Sequence, residues 1–250
     1  MQVPRWAGRG GEATRSARGF TVPEVLIVMA VVASIAAIAI PNLVSARVRT
    51  SETGAVATLR AISNAEAQFQ RAARADVDMD GVGEFGLLRE LAGATGVRTA
   101  RDGSSTASPL RPALLPDLFR SINSNGEVKR GGFHFRAFLP NAAGQAVGES
   151  GTTSLRSVGE ESIDPELAER RWCAYAWPTE QALHGARTFF ASANVVTTSN
   201  APAGRHIGRG AIGVADAGLA FECGGDTSCI TGVVACDALG RDGSIWRIVQ

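Results

Sequence analysis

The chain is poor in the features on which an enzymatic or nucleic-acid-binding reading would rest. Its 25 basic and 24 acidic side chains leave a formal charge of +1, so bulk electrostatics makes no case for a polyanionic partner. Only three histidines are present, His134, His184 and His206, far apart and in no H-E-x-x-H arrangement. There is no G-x-S-x-G and no phosphate-binding glycine loop; Gly208-Arg209-Gly210 lacks both the lysine and a preceding strand. Serines and acids are so common that a triad could be drawn on paper anywhere, which points to none. No catalytic residue is assigned, and a membrane-anchored enzyme is the weakest reading. Arg205, His206 and Arg209 form the one notable basic cluster beyond the amino terminus. It could touch DNA phosphates, but three charges in a Gly-rich turn read first as a solvated loop.

Aromatics make up 6% of the chain while glycine reaches 29 residues, a composition of many turns and short strands. The cysteines, Cys173, Cys223, Cys229 and Cys236, include no C-x-x-C and match no zinc spacing. If the domain lies outside the cytoplasm, two disulfides are expected, with the pairing open among three connectivities. Free buried thiols are the other reading.

What the chain does have is the stretch from Gly19 to Asn42, GFTVPEVLIVMAVVASIAAIAIPN. Between Phe20 and Ile40 it carries a single ionisable side chain, Glu24. At about 1.5 Å per residue these residues make a helix of roughly 31 Å, enough for the hydrocarbon core of a bilayer. A lone carboxylate in such a helix is expensive and asks for a functional reason. Residues 1–19 precede it with four arginines against one glutamate, a net charge of +3, and no apolar periodicity. That basic leader is expected to be disordered and to keep the amino end cytoplasmic while the rest is exported. The apolar run is too long for an ordinary secretory signal and ends in Pro41-Asn42 rather than in a small-residue cleavage site.

The run Arg18-Gly19-Phe20-Thr21-Val22-Pro23-Glu24-Val25-Leu26-Ile27-Val28, continued to Ala39-Ile40-Pro41-Asn42, resembles the amino-terminal region of type IV prepilins and type II secretion pseudopilins. The resemblance implies that a prepilin peptidase cuts after Gly19 and methylates Phe20. Glu24 is then the fifth residue of the mature chain, and Pro41 matches the family's helix-bending proline. Val22-Pro23 stands where the family often has a leucine-isoleucine pair; a proline in the first helical turn is harmless because its missing N–H has no intrahelical partner there. The resemblance further implies an inner-membrane assembly platform and other pilin or pseudopilin subunits as partners. It places the chain in the inner membrane as a single-pass protein before assembly, and in a periplasmic or extracellular filament afterwards. The cysteine-rich end resembles the disulfide-bounded carboxyl loop of pilins, though with more cysteines than the simplest form.

Beyond Pro41, Val44, Val48, Ala55, Leu59, Ile62 and Phe69 recur at helical spacing, with Arg47, Arg49, Glu52, Arg60, Glu66 and Arg71 on other faces. One helix is expected from about Phe20 to Ala75, interrupted or softened at Pro41. The expected division is a leader over 1–19, an assembly helix over 20–41, its amphipathic continuation over 42–75 and a globular domain over 76–250.

Asp76, Asp78 and Asp80 then alternate before Gly81, as carboxylates do in calcium loops. Leu87 stands where an EF-hand needs a bidentate glutamate, so the expected ligands are Asp76, Asp78, Asp80, the Val82 carbonyl and Glu84. No cofactor is required and calcium is the possible one; a solvated acidic turn is the alternative. Some pseudopilins, by the same resemblance, bind calcium in a different loop. A short helix is expected over residues 84–91.

Residues 93–112 and 141–165 read as polar loops, and 113–123 as a short helix opened by Pro116-Asp117. Gly131–Pro140 reads as a half-buried strand with His134 and Arg136 outward. Arg171–Pro178 reads as a strand with Trp172, Ala174 and Ala176 on one face and Cys173, Tyr175 and Trp177 on the other. A further strand is expected over 185–198, and tail strands near 211–214, 219–223, 230–235 and 245–249. The fold class is therefore α+β, a long amino-terminal helix on an antiparallel sheet with a disulfide-tied tail. The function the resemblance implies is a structural filament subunit; a filament-displayed binding or adhesion module, calcium-dependent or not, is the alternative.

Overall fold

The structure is a computed structural model that describes residues 19–104, 106–151, 155–180, 185, 187–193, 195–199, 206–222 and 226–249. The basic leader, His184, Arg205 and Cys223 lie outside the described residues. The chain divides into two compact units, Met1–Leu43 and Val44–Gln250.

Helix α1 (Val22–Arg71) is continuous through Pro41. The expected interruption is absent: proline removes one N–H from the ladder, and the run of good helix formers around it carries the helix across. In the first unit the helix buries nothing. Val25, Leu26, Ile27, Val28, Ile35 and Ile38 are all exposed. In the second unit the expected stripe largely holds, with Ala55, Leu59, Ile62 and Phe69 buried, Val48 half-buried and Val44 exposed.

Two glutamates assigned to the polar faces are also buried. Glu52 is held by Arg187, whose Nε donates to it at 3.1 Å. Glu66 accepts the Gly86 N–H at 2.8 Å. Their partners are far away in sequence, so the helical pattern alone cannot reveal them.

After α1 come the single-turn helix α2 (Leu88–Leu91) and a two-stranded ladder of β1 (Gly96–Arg98) with β2 (Thr106–Pro109). This ladder corrects the expectation of a plain loop over 93–112. The short helix over 113–123 is a 3-10 turn at Asp117–Arg120.

The main sheet is antiparallel. Its strands are β3 (Val128–Arg130), β4 (Phe133–Pro140), β5 (Ala146–Glu149), β6 (Leu155–Arg156), β7 (Cys173–Pro178), β8 (Phe189–Ser192), β9 (Val196–Ser199), β10 (Ala238–Leu239) and β11 (Ile245–Ile248). They lie in the order β10-β11-β9-β8-β7-β4-β5-β6, with β3 also paired to β4. Strands β5 and β6 replace the loop expected over 141–165. Of the tail strands only the last is regular; 214–216 is a 3-10 turn, and Phe221, Glu222 and Val234 make isolated bridges.

Strand periodicity sends alternate residues to two cores. Phe133, Phe135, Ala137 and Leu139 of β4 join Ala174, Ala176, Phe189 and the α1 stripe. Phe138, Cys173, Tyr175, Trp177 and Phe190 join Ile212, Phe221, Ile230 and Trp246 from the tail. Both sides of the β7 pattern match the alternation in RWCAYAWP. The tail covers the second face, which is why His134 and Arg136 are buried rather than outward. His134 stacks on Trp177 at 5.8 Å, and Arg136 lies 4.9 Å over the Phe138 ring. Burial pushes the Arg136 guanidinium down to about 10.

Hydrogen bonds from core aromatics pin this tail. The Tyr175 hydroxyl donates to the Ala217 carbonyl (2.7 Å) and accepts from the Ala220 N–H (3.1 Å). Trp177 Nε1 donates to Gly208 O, and Trp246 Nε1 to Asp242 Oδ1. Each contributes about 1 kcal/mol net. Cys173, Cys229 and Cys236 are free thiols. Two bridges among four cysteines would need at least one between these three, so the expected pair is not present among the described residues. Cys173 points into the aromatic core, where burial raises its thiol pKa far above the ordinary value.

Candidate functional site

Three places carry chemistry beyond packing. The first is the start of α1. Gly19 and Phe20 precede the helix, and Thr21 occupies its N-cap position. Glu24, three residues on, reaches back so that its Oε2 accepts both the Thr21 N–H (2.8 Å) and the Thr21 hydroxyl (2.7 Å). This is the reach-back half of a capping box, readable in T-x-x-E yet missed in the sequence. The awkward carboxylate therefore already has a local partner in the single chain. Phe20 is 84% exposed, and no heavy atom lies within 4 Å of where a Cβ on Gly19 would stand. Both residues of the Gly19–Phe20 peptide are exposed. One described helix, α1, is long and apolar enough to cross a membrane. An exposed apolar surface of this extent is not stable in water alone and needs lipid or other chains around it.

The second is the acidic loop after α1. The carboxylates of Asp76, Asp78 and Asp80 converge, with ligand oxygens all within 4.8 Å of one another. Asp76 accepts the Asp80 and Gly81 N–H groups (3.1 Å each), and Asp80 Oδ1 accepts the Val82 N–H (2.8 Å). The loop presses on the end of α1: a Cβ at Gly83 would stand 2.1 Å from the Gln70 carbonyl oxygen. Glu84 does not join the aspartates. It turns inward, with Oε1 on the Val77 N–H (2.9 Å) and Oε2 on Arg98 Nη2 (2.9 Å). A guanidinium in the core and a backbone donor draw it away from the loop it was expected to serve.

The third is the charge cluster that Glu84 enters. Arg98, on β1, is 3% exposed and holds Glu84 and Glu90, the latter at 2.5 Å, while also donating to the Phe85 carbonyl. Burial works against the Arg98 charge, but Glu90 and Glu84 outweigh it and raise its pKa. Two more carboxyls close in. Burial raises Glu66 well above the carboxylate range. Burial, with Glu90 adding to it, pushes Glu149 up to about 8. Glu90, Arg98 and Glu149 line a pocket of about 310 Å³. No sequence signal placed Arg98, because it falls in a segment that reads as surface loop.

The other expected candidates dissolve into structure. His206 is buried, 3.6 Å from Asp242, and Arg209 donates to Ser124 Oγ (2.8 Å), so these two do not form an exposed basic patch.

Comparison with known proteins places the similarity at the first of these sites. The family described as the prokaryotic N-terminal methylation motif matches residues 14–40. The type IV wide pilus major component PilA4 of Thermus thermophilus is 51% identical over 45 residues. That alignment covers 18% of this chain and 34% of the relative, so the chain matches about a third of that protein's length. No solved structure matches. With Gly19, Phe20 and Glu24 all inside the matched residues, this chain carries the prokaryotic N-terminal methylation motif.

Proposed function

We propose that the chain is a structural subunit of a type IV pilus or type II secretion pseudopilus and has no enzymatic role. The observation that carries this reading is the methylation motif over residues 14–40, set on the first part of a helix whose large apolar side chains from Phe20 to Ile40 are all exposed. A prepilin peptidase cuts after Gly19 and methylates the new amino terminus at Phe20. Before assembly the helix spans the inner membrane with its leader in the cytoplasm. An inner-membrane platform then moves it into a filament of like subunits.

Glu24 has two successive partners in this scheme. In the single chain Thr21 satisfies it. In the helix bundle it meets the amine of a neighbouring subunit's Phe20, because a carboxylate in an apolar bundle is strongly disfavoured without a cation. The pairing sets register more than it adds net stability.

Two measurements test the reading together. Mass spectrometry of the mature protein is expected to give an amino terminus at methylated Phe20; any other terminus refutes the processing. A Glu24→Ala chain is expected to be cut normally and to fail to enter filaments. Normal filaments from that variant would overturn the register role.

A further inference from the structure

A groove of about 740 Å³ lies within the second unit, between α1 and residues of β8 and β11. On its helix side Thr53, Ala57, Ala61 and Asn64 recur at three or four residues, share one face and are all exposed. From Glu52 to Asn64 that wall is about 18 Å long. Val56 and Phe189 give the groove a buried apolar floor, and half-exposed Ile248 extends it along β11. Three arginines, Arg60, Arg187 and Arg247, stand around this floor against one carboxylate, Glu52. Glu52 is already taken by Arg187. Arg60 has only a long contact of 3.5 Å to the Val249 carbonyl, and neither it nor Arg247 is ion-paired among the described residues. The groove is therefore an apolar strip with two unspent positive charges at its rim.

The same chain displays the opposite pattern beyond the end of α1. Met79 is 87% exposed and sits between Asp78 and Asp80, with Asp76 before them and Val82, 46% exposed, after. None of the three aspartates is ion-paired among the described residues. We infer that this groove is an interface between copies of the chain, and that its occupant is the 76–82 loop of a second copy, Met79 on the apolar floor and the aspartates on Arg60 and Arg247. An unbranched, polarisable methionine suits a shallow strip of small residues, and the facing charges set orientation and encounter rate. One other exposed segment pairs an apolar side chain with acids, Val158-Gly159-Glu160-Glu161, but Val158 is 55% exposed and Glu160 already accepts the Ser162 hydroxyl. The loop packs at the level of Gln70 and Ala73, while the groove centres near residue 58. Copies whose helices stand level cannot make the contact; a copy shifted by about 20 Å along α1 can. Because it joins two different patches, the contact does not close on itself and repeats along a line. The inference rests on the filament reading for its setting and names a contact that the amino-terminal motif does not contain.

The test uses the full chain in detergent micelles. A Met79→Cys chain is mixed with an Ala57→Cys chain under a mild oxidant, and the disulfides are mapped by mass spectrometry. A link between positions 79 and 57 is expected in the mixture, with a yield that falls at least about fivefold in about 0.5 M salt. Arg247→Glu in the Ala57→Cys chain is expected to lower the yield about tenfold, and Asp80→Arg in the Met79→Cys chain to restore it. A Val158→Cys chain is the control and should not link to position 57 above the background of the native cysteines. No 79–57 link, a yield that salt leaves unchanged, or an equal yield from Val158→Cys would overturn the contact. Positions 57 and 79 are both exposed, and the salt series decides should a charge variant fail to fold. The link is read whether or not filaments form. Filaments that lack it would overturn this contact alone, and a processed chain that links but never polymerises would overturn the filament reading alone.

Discussion

Glu149 makes the sharpest test of the buried charge cluster. Its carboxyl is buried and raised to about 8, while an exposed glutamate titrates near 4.5. A raised acid contributes stability that is fully present below the unfolded pKa and lost as pH climbs through the folded one. Between these values the native state holds a proton the unfolded chain has released, so stability falls by about 1.4 kcal/mol per pH unit. Across the window from about 4.5 to 8 the loss is on the order of 4–5 kcal/mol, a large share of a typical domain's stability.

Glu149→Gln removes that titration. Its amide oxygen can still accept the Arg89 N–H now bonded to Glu149 at 3.3 Å, and its NH2 can face the adjoining pocket. Glu66 adds a slope of the same sign, and relieving it of the Glu149 charge lowers its own pKa, so the two effects reinforce. The assay is urea unfolding of the full chain in micelles at pH 5, 6, 7 and 8, followed by fluorescence of the buried Trp172, Trp177 and Trp246. The parent is expected to lose stability steadily over this range. The variant should be flatter by roughly 1 kcal/mol per unit and more stable at pH 8. Parallel slopes for the two chains would refute the reasoning.

Arg98→Met leaves Glu84 and Glu90 buried without their cation and is expected to cost about 3–5 kcal/mol in urea unfolding at pH 7; a loss below about 1 kcal/mol would show that the carboxyls simply take up protons. Gly83→Ala drives a methyl into the Gln70 carbonyl and is expected to cost about 1–3 kcal/mol, while Gly131→Ala, with open space but a positive φ of 58°, should cost less; the reverse order would refute the close approach. Maleimide labelling of the native chain with peptide mapping should modify exposed Cys236 and spare buried Cys173 until unfolding. Labelling of Cys236 that needs prior reduction would instead reveal a bridge.

How much of this was legible depends on whether the deciding partner is near in sequence. Gly19, Phe20 and Glu24 stand in one local register, so the motif could be read without a fold. The stripe of α1 and the alternation of RWCAYAWP were equally local. His134 and Arg136 escape the sequence pattern because alternation implies one wet face, and only the tail, with Ile212 O accepting from Arg136 and Arg209 beside His134, covers that face. Glu84 was assigned to the acidic loop because spacing shows that a carboxylate is nearby but not which way it turns. Arg98, fourteen residues later, decides that.

On one side the main sheet ends in a strand of two residues, β10 (Ala238–Leu239). An open sheet edge is a template on which another chain can zip its own backbone, and length is what makes the template useful. In the filament proposed above, neighbouring domains would meet at very high local concentration. A two-residue edge gives a neighbouring domain too little template to grow a ladder on that side.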